Sequence, residues 1–118
     1  MSDVSSPQAV TVERREKAFI ATINSKMLDE KEVRALGGIL DEACVDTGIA
    51  HIVVNLEHVQ IVPSLVLGLL LRISQKCVAS ARALTLVGLT PRVRDSFTIT
   101  RLDLILRLAD NVDAALAG

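Results

Sequence analysis

The segment His51–Ser74, HIVVNLEHVQIVPSLVLGLLLRIS, contains the two patterns that decide the fold class. Its first part, HIVVNL, is an apolar run without alternation, which is typical of a strand covered on both faces. Its second part begins a predicted helix from about Leu65 to Ser80, and the first turns of that helix, LVLGLLL, carry no polar side chain. A buried strand followed by a helix indicates one unit of a largely parallel sheet.

The sequence before this segment predicts a hairpin and a helix. VTVE and AFIATI are separated by the charged residues RREK, as two short strands of a β-hairpin are separated by their turn. A helix follows from about Asp29 and is stopped by Gly48. Gly37 and Gly38 lie inside this helix, where each glycine costs about 1 kcal/mol relative to alanine. We expect close packing of this helix against the sheet to explain both glycines.

The sequence after the segment continues the alternation of strands and helices. ALTLVGL is a predicted strand, and Thr90 followed by Pro91 is a strong signal for the start of a helix. LDLILRL predicts a short strand around Leu104–Arg107, and a last helix is predicted with Asp110 as its cap. The complete order is ββαβαβαβα. This order predicts an α/β fold with a small mixed, largely parallel sheet and helices packed against it.

Length and composition indicate one soluble domain. A chain of 118 residues fits a single domain over residues 10–118, preceded by a flexible leader over residues 1–9 that is rich in small and polar residues. The 13 basic and 14 acidic residues leave a net charge of -1, which argues against a nucleic-acid binder. The N-terminus lacks the basic start and apolar core of a signal peptide. The longest uncharged stretch, Val59–Leu71, is shorter than the roughly 20 residues that span a bilayer, so we expect a cytoplasmic protein that binds no membrane.

Motifs of catalytic, metal and cofactor sites are not found in the sequence. No glycine-rich phosphate loop follows a strand, no GxSxG sequence occurs, and no group of His, Cys and acidic residues has metal-ligand spacing. Cys44 and Cys77 are predicted to be small buried thiols in a reducing cytoplasm. His51 and His58 are predicted to be structural residues that flank one strand. We therefore predict a protein that is not an enzyme and has no catalytic residue, metal ion or cofactor.

The helix that begins at Leu65 carries apolar side chains on more than one side. One stripe is predicted to face the sheet, whereas the opposite stripe is apolar at the N-terminal end of the helix and basic further on. Adjacent exposed leucines predict a contact surface for another protein. The alternative is that the hairpin or a neighbouring loop covers Leu65. The sheet-facing stripe consists of Leu67, Leu70, Leu71, Ser74 and Val78, and the outer stripe consists of Leu65, Leu69, Arg72 and Lys76.

Ser64 lies at the start of the same helix. Pro63 precedes it and favours an extended backbone at this point of the chain. A serine here is typical of an N-cap, whose hydroxyl oxygen accepts a hydrogen bond from the amide of Val66 or Leu67. We favour this structural role for Ser64 over a functional one.

The segment LTLVGLTPRVRDSFTITRLD resembles a pattern of the STAS family, the anti-sigma-factor antagonists of bacteria. In that pattern a strand is followed by Gly-x-x-Pro-x-Val-Arg and then by a helix that ends in Thr-Gly-Leu-Asp. KMLD, which ends in Asp29, resembles the Leu-Asp that opens the first helix of the family, and the resemblance covers the chain from about Val10 to Leu116. The matching positions are Gly88, Pro91, Val93, Arg94, Thr100, Leu102 and Asp103, with Arg101 in place of the glycine.

The resemblance also identifies the position of a switch. In family members the segment after the central strand reads Asp-Ser-Ser-Gly-Leu-Gly, and its second serine is phosphorylated by a partner that is both a kinase and an anti-sigma factor. On this sequence Pro63 stands for the aspartate, Ser64 for the first serine and Leu65 for the second. Val66 replaces the glycine, Leu67 and Gly68 match, and Asn55 stands where the family often has an aspartate. A leucine accepts no phosphate, so the resemblance implies a surface that phosphorylation at this position does not switch.

These observations lead to one main hypothesis and two alternatives. The main hypothesis is a non-catalytic interaction module that binds an anti-sigma factor of the serine-kinase type through the N-terminus of the helix at 65–80. The first alternative is a homo-oligomer of the scaffold type, in which the apolar surface contacts a second copy. The second alternative keeps the switch and moves the phosphorylation to Ser64. The predicted interface residues are Asp29, Pro63, Ser64, Leu65, Leu69 and Arg72.

Overall fold

The computed structural model describes residues 9–117. Its five-stranded sheet has the order β1-β2-β3-β4-β5, so that neighbours in the chain are neighbours in the sheet. The strands β1 and β2 form an antiparallel hairpin, whereas β2, β3, β4 and β5 run parallel. The predicted mixed, largely parallel sheet is confirmed, whereas residues 1–8 of the predicted leader lie outside the described residues. The strands are β1 Val10–Arg15, β2 Ala18–Ile23, β3 His51–Asn55, β4 Ala83–Val87 and β5 Arg107–Ala109.

The helices cover both faces of the sheet. Each of the first three connects two adjacent parallel strands, and right-handed crossovers place all three on the same face. Their buried side chains, such as Leu36, Leu70 and Phe97, share one core with Ile52 of β3. The last helix packs on the opposite face. The helices are α1 Glu30–Val45, α2 Ser64–Ala79, α3 Pro91–Ile99 and α4 Val112–Ala117, and a 3₁₀ turn spans Leu102–Leu104.

The central strand β3 is buried on both faces, as its unbroken apolar run predicts. Ile52 and Val54 point into the core below α1, α2 and α3. Val53 points the other way and packs with Ile20 and with Ala115 of α4. Because α4 is short, it covers only part of that face of the sheet.

Two predicted element boundaries near the C-terminus are wrong. The last strand begins at Arg107, because residues 102–104 form a 3₁₀ turn before it. The last helix is capped by Asn111 and not by Asp110, since the Oδ1 atom of Asn111 accepts a hydrogen bond from the amide of Ala114 at 2.8 Å. The predicted start of α3 is confirmed, because Thr90 Oγ1 accepts a hydrogen bond from the amide of Val93.

The two glycines inside α1 do not pack against the sheet, so this expectation is wrong. Gly37 is buried against α2, and a Cβ atom at this position would lie 3.4 Å from Cδ1 of Leu69. Gly38 is exposed, and a Cβ atom there would meet nothing within 4 Å. Gly37 therefore serves the close approach of two helices, and no contact within the described residues accounts for Gly38.

Gly88, which follows β4, occupies a backbone position that only glycine adopts without strain. Its φ angle is +73°, in the left-handed region. A Cβ atom would lie 2.8 Å from Oδ1 of Asn55 and 3.2 Å from the amide nitrogen of Glu57. The Asn55 oxygen already accepts a hydrogen bond from that amide at 3.0 Å, so it has little freedom to move away.

We expect Gly88→Ala to lower the free energy of unfolding by about 1–3 kcal/mol, because it adds both backbone strain and a close contact. Gly38→Ala is the matched control and should raise the free energy of unfolding by up to about 1 kcal/mol, since the added methyl group meets open space in a helix. Urea denaturation of the two variants measures both changes. Equal stability of Gly88→Ala and the wild type would contradict the conclusion that position 88 requires glycine.

His51, the first residue of β3, has a half-buried side chain next to a buried hydroxyl group. Its Nε2 atom lies 2.9 Å from Oγ1 of Thr85. Burial, and to a smaller extent the charge of Arg107, lowers the pKa of His51 below its ordinary value of 6.5. The folded protein therefore favours the neutral imidazole more than the unfolded chain does.

This pKa shift predicts that stability falls on mild acidification. The contribution of His51 is fully present above the unfolded-state pKa of about 6.5 and is lost as the pH falls through the lower folded-state pKa. We expect the free energy of unfolding of the wild type, measured by urea denaturation between about pH 7.5 and pH 5, to fall more steeply than that of His51→Gln. Identical slopes for the two proteins would exclude His51 as the titrating group.

Candidate functional site

Two loops lie side by side at the end of the sheet where the parallel strands finish. One loop connects β2 to α1, and the other connects β3 to α2. The amides of Gln60 and Ile61 donate hydrogen bonds to the carbonyl oxygen of Lys26 at 2.8 and 3.1 Å, which joins the loops. Leu28 and Val59 are buried and anchor the loops in the core. The N-terminus of α2 therefore begins beside a supported pair of loops.

Three large aliphatic side chains are exposed on these loops and on the first turn of α2. Met27 and Leu65 are each 53% exposed, and Ile61 is 45% exposed. The backbone of Ile61 is hydrogen-bonded to the residue before Met27, and Leu65 lies four residues after Ile61 in the first turn of α2. We call Met27, Ile61 and Leu65 the apical patch. Met27 and Ile61 were not predicted as site residues, because loop residues show no periodicity that signals a shared surface.

The helix α2 begins one residue earlier than predicted. Its N-cap is Pro63, whose extended backbone lets its carbonyl oxygen accept hydrogen bonds from the amides of Val66 and Leu67 at 2.9 and 3.2 Å. Ser64 is the first helical residue and is exposed. Its hydroxyl group makes no hydrogen bond to any residue from 9 to 117. The prediction that Ser64 caps α2 is wrong, and its hydroxyl group is open to solvent.

The predicted orientation of α2 is also wrong, by about one residue position, or about 100° around the helix axis. Val78, expected in the core, is 75% exposed, whereas Leu69, expected on the outer stripe, is only 8% exposed. The reason is the neighbouring helix α1. Leu69 packs against Gly37 of α1, so the stripe that was predicted to face solvent is the side facing this helix. The buried residues of α2 are Val66, Leu69, Leu70, Ile73 and Cys77.

Arg72 and Lys76 tie α2 to α1 through a single carboxylate. The Nη1 and Nη2 atoms of Arg72 donate to the two oxygens of Asp41 at 2.9 and 3.4 Å, and Nζ of Lys76 donates to Oδ1 at 2.8 Å. The hydrogen bond from Arg72, and next that from Lys76, holds the pKa of Asp41 below its ordinary value. The side chains are partly exposed, so solvent screens much of the attraction, and the main result is a fixed position for Arg72.

A groove with a volume of about 680 Å³ separates the exposed edges of α1 and α2. Its floor is apolar or without side chains, at Val33, Gly37, Gly68 and Leu69, and Leu65 stands at its mouth. The glycines keep the floor low, and a Cβ atom at Gly68 would meet nothing within 4 Å. The groove therefore extends the apical patch along the two helices.

Asp29 lies at the N-terminus of α1 and forms a capping box. Its Oδ1 atom accepts a hydrogen bond from the amide of Glu32 at 2.7 Å, and Oε1 of Glu32 accepts one from the amide of Asp29 at 3.0 Å. The predicted interface residues thus occupy three kinds of position. Ser64 and Leu65 are exposed at the start of α2, Asp29 and Pro63 are helix caps, and Leu69 and Arg72 line the groove.

Residues 9–117 contain no group of three or more His, Cys, Asp and Glu side chains placed to hold a metal ion. In the same part of the chain, no helix has the length and apolar character that crossing a membrane requires.

Comparison with known proteins identifies one family. Residues 9–115 match the STAS domain. No curated protein sequence matches this one.

Solved structures of low sequence identity share the fold. A putative anti-sigma factor antagonist from Thermotoga maritima has a TM-score of 0.82 at 20% identity, and the match covers 92% of each chain. An anti-sigma factor antagonist from Mycobacterium paratuberculosis has a TM-score of 0.79 at 22% identity over 95% of each chain. The Bacillus cell fate determinant SpoIIAA in its phosphorylated form has a TM-score of 0.72 at 20% identity, over 92% of this chain and 97% of its own.

The opposite burial of the two leucines predicts opposite effects of the same substitution. Leu69→Ala should lower the free energy of unfolding by about 2–5 kcal/mol, because it leaves a cavity between α1 and α2. Leu65→Ala should change it by no more than about 0.5 kcal/mol, since half of the side chain is already in water. Urea denaturation of both variants provides the measurement. A similar loss for both would show that Leu65 is covered and that the apical patch is not a free surface.

Proposed function

The chain belongs to the STAS family, and from this premise we propose that it binds an anti-sigma factor of the serine-kinase type through the apical patch and the adjoining groove. The solved structures with the same fold include anti-sigma factor antagonists, which supports this class of partner. The proposed interface consists of the predicted residues Asp29, Pro63, Ser64, Leu65, Leu69 and Arg72, to which Met27 and Ile61 are added.

The observation that carries the proposal is the exposure of Leu65 at the switch position. A phosphate group there would bring about -1.5 to -2 charges and their hydration to a surface that is otherwise apolar. Leucine instead keeps the surface apolar, and full burial of a leucine side chain contributes about 1.5–3 kcal/mol. Leu65 is 53% exposed, so much of this contribution is still to be gained in a complex. The protein is therefore proposed to bind its partner constitutively at this position.

The groove gives the proposed interface its shape. Leu69 takes part as the floor of the groove and not as an exposed anchor, because it is packed against α1. Arg72 is held over the groove by Asp41, so it is preorganised to donate a hydrogen bond at the rim. A partner segment that lies between α1 and α2 would contact Leu65 at one end and Arg72 further along.

A second candidate function is a switch at Ser64. Its hydroxyl group is exposed and makes no hydrogen bond within the described residues, so a kinase would not have to break one. It also lies in the first turn of α2, where the helix dipole favours a negative charge. A phosphate on Ser64 would stand beside Leu65 and would reduce the apolar character of the apical patch.

We expect Leu65→Glu to weaken binding to a purified serine-kinase-type anti-sigma factor from the same genome by at least about tenfold, because the complex would bury an unpaired carboxylate. The fold should be unaffected, since a glutamate in the first turn of a helix is favourable. Val78→Glu is the matched control, because Val78 is an exposed aliphatic residue near the other end of α2. Biolayer interferometry provides the affinities, and equal affinity of Leu65→Glu and the wild type would refute the interface.

The same proteins distinguish the alternatives. Incubation with the kinase and ATP, followed by mass spectrometry, supports the Ser64 switch if a phosphate is found on the wild type and not on Ser64→Ala. Absence of any phosphate on the wild type excludes it. A homo-oligomer in sedimentation velocity that becomes a monomer in Leu65→Glu supports self-assembly, whereas a monomer in both proteins excludes it.

A further inference from the structure

A second group of exposed aliphatic side chains lies far from the apical patch. Ile99, Leu104 and Ile105 are 80%, 77% and 59% exposed. They occupy the end of α3, the 3₁₀ turn and the residue after it, just before β5 begins. Because β5 runs parallel to β4, this segment lies at the end of the sheet opposite the N-terminus of α2. The group is therefore separate from the proposed interface.

Four arginines in the same stretch of the sequence have no partner in the described part of the chain. Arg92, Arg94, Arg101 and Arg107 make no ion pair and no side-chain hydrogen bond to any residue from 9 to 117. The arginines earlier in the chain behave differently, because each donates to an oxygen of the protein. Those pairs are Arg14 with Asp46, Arg15 with Glu13, Arg34 with Glu30, Arg72 with Asp41, and Arg82 with the carbonyl oxygen of Asp46.

Arg101 is placed in an unfavourable backbone conformation. Its φ and ψ angles are 61° and 18°, in the left-handed region that glycine adopts without strain. The STAS pattern has a glycine at this point of the motif. The chain thus carries a charged side chain at a position where the backbone conformation favours glycine. The Arg101 guanidinium group makes no hydrogen bond or ion pair with residues 9–117 that would offset the strain.

We propose that Ile99, Arg101, Leu104, Ile105 and Arg107, here called the α3–β5 surface, form a second docking site that binds an acidic amphipathic segment of a partner protein. The aliphatic side chains would contact the apolar face of that segment. The free guanidinium groups would each donate two parallel hydrogen bonds to carboxylates beside that face, an arrangement that fits the planar fork of arginine. Arg92 lies on the same side of α3 as Ile99 but about two turns before it, so it is outside this surface.

The charges favour a protein segment over a lipid surface or a second copy of the chain. A planar anionic bilayer would bring headgroups against Asp95 and Asp103 as well as against the arginines, whereas a protein segment can place its carboxylates opposite the arginines alone. The apical patch of a second copy is a poor match for the arginines, because Lys26, Lys31 and Arg34 accompany the acidic residues near it. Arginine next to exposed aliphatic residues is typical of protein interfaces.

The test uses a fluorescein-labelled synthetic helix of about five turns that has leucines on one face and glutamates on both sides of that face. The control probe carries lysines in place of the glutamates. We expect fluorescence anisotropy to show that the wild type binds the acidic probe with a Kd of about 1–100 μM and binds the basic probe at least about tenfold more weakly. Raising the salt concentration from about 0.05 to 0.5 M should weaken binding of the acidic probe, because the arginines are exposed.

Variants of the chain locate the binding surface. Leu104→Ser and Arg101→Gly should each weaken binding of the acidic probe at least about fivefold. The fold should persist in both, since Leu104 is exposed and glycine suits the backbone at position 101. Val45→Ser, which changes a 75% exposed aliphatic residue of α1, and Arg34→Gln are the matched controls and should bind like the wild type. Leu65→Glu should also bind normally, so failure of this proposal and failure of the apical interface are distinguishable.

Several results would overturn the proposal. Equal binding of the acidic and basic probes would show that the arginines do not select the ligand. An equal loss in Val45→Ser and Leu104→Ser would show that binding has no fixed location. Absence of acidic-probe binding would reject the protein segment as the ligand. If the wild type then sediments with vesicles of phosphatidylglycerol and phosphatidylcholine, the surface binds lipid instead. A dimer of the wild type that Leu104→Ser abolishes would assign the surface to a second copy.

Discussion

Burial of the central strand β3 on both faces is the constraint on which the rest of the structure depends. Ile52 and Val54 must be covered from one side and Val53 from the other, because an exposed apolar strand would lose the free energy of burial. Right-handed connections place α1, α2 and α3 on one face of the sheet, and the short helix α4 packs on the other face. The chain leaves β3 at the C-terminal end of the parallel strands, so the N-terminus of α2 must lie at that end of the sheet.

The contact between α1 and α2 then forms a groove that begins at this end of the sheet. Gly37 lets Leu69 approach α1 closely, and Asp41 holds Arg72 and Lys76 across the gap between the helices. The result is a groove whose lining combines small and apolar residues, Leu65 among them, with charged side chains such as Asp41 and Arg72. Leu65 stands at the position that matches the phosphoacceptor serine of the STAS pattern, so the proposed interface stays apolar at this point. The proposed site therefore depends on the packing of α1 against α2 and on the leucine at position 65.

The two proposed surfaces lie at opposite ends of the parallel strands and differ in chemistry. The apical patch is aliphatic and continues into a groove, whereas the α3–β5 surface combines aliphatic residues with unpaired arginines. The central strands β3 and β4, which lie between them, are mostly buried in the core. Two separate docking surfaces on one small domain would allow two partners to bind at once, which suits the proposed regulatory role.

Local sequence patterns determined the class of fold and the order of its elements, and they predicted an interface at the start of α2. An unbroken apolar run requires burial on both faces, a Thr-Pro pair starts α3, and the motif around Gly88 requires a glycine for its positive φ angle. Tertiary structure alone decided which side of α2 faces α1, because a helix that is apolar nearly all round has no periodicity strong enough to set its rotation. Tertiary structure also decided that Pro63 caps α2 and that Met27 and Ile61 are exposed on neighbouring loops beside the start of α2, where Leu65 lies. Backbone hydrogen bonds between separate loops bring those residues together, and such bonds depend on where the loops lie in space and not on the side chains in the sequence.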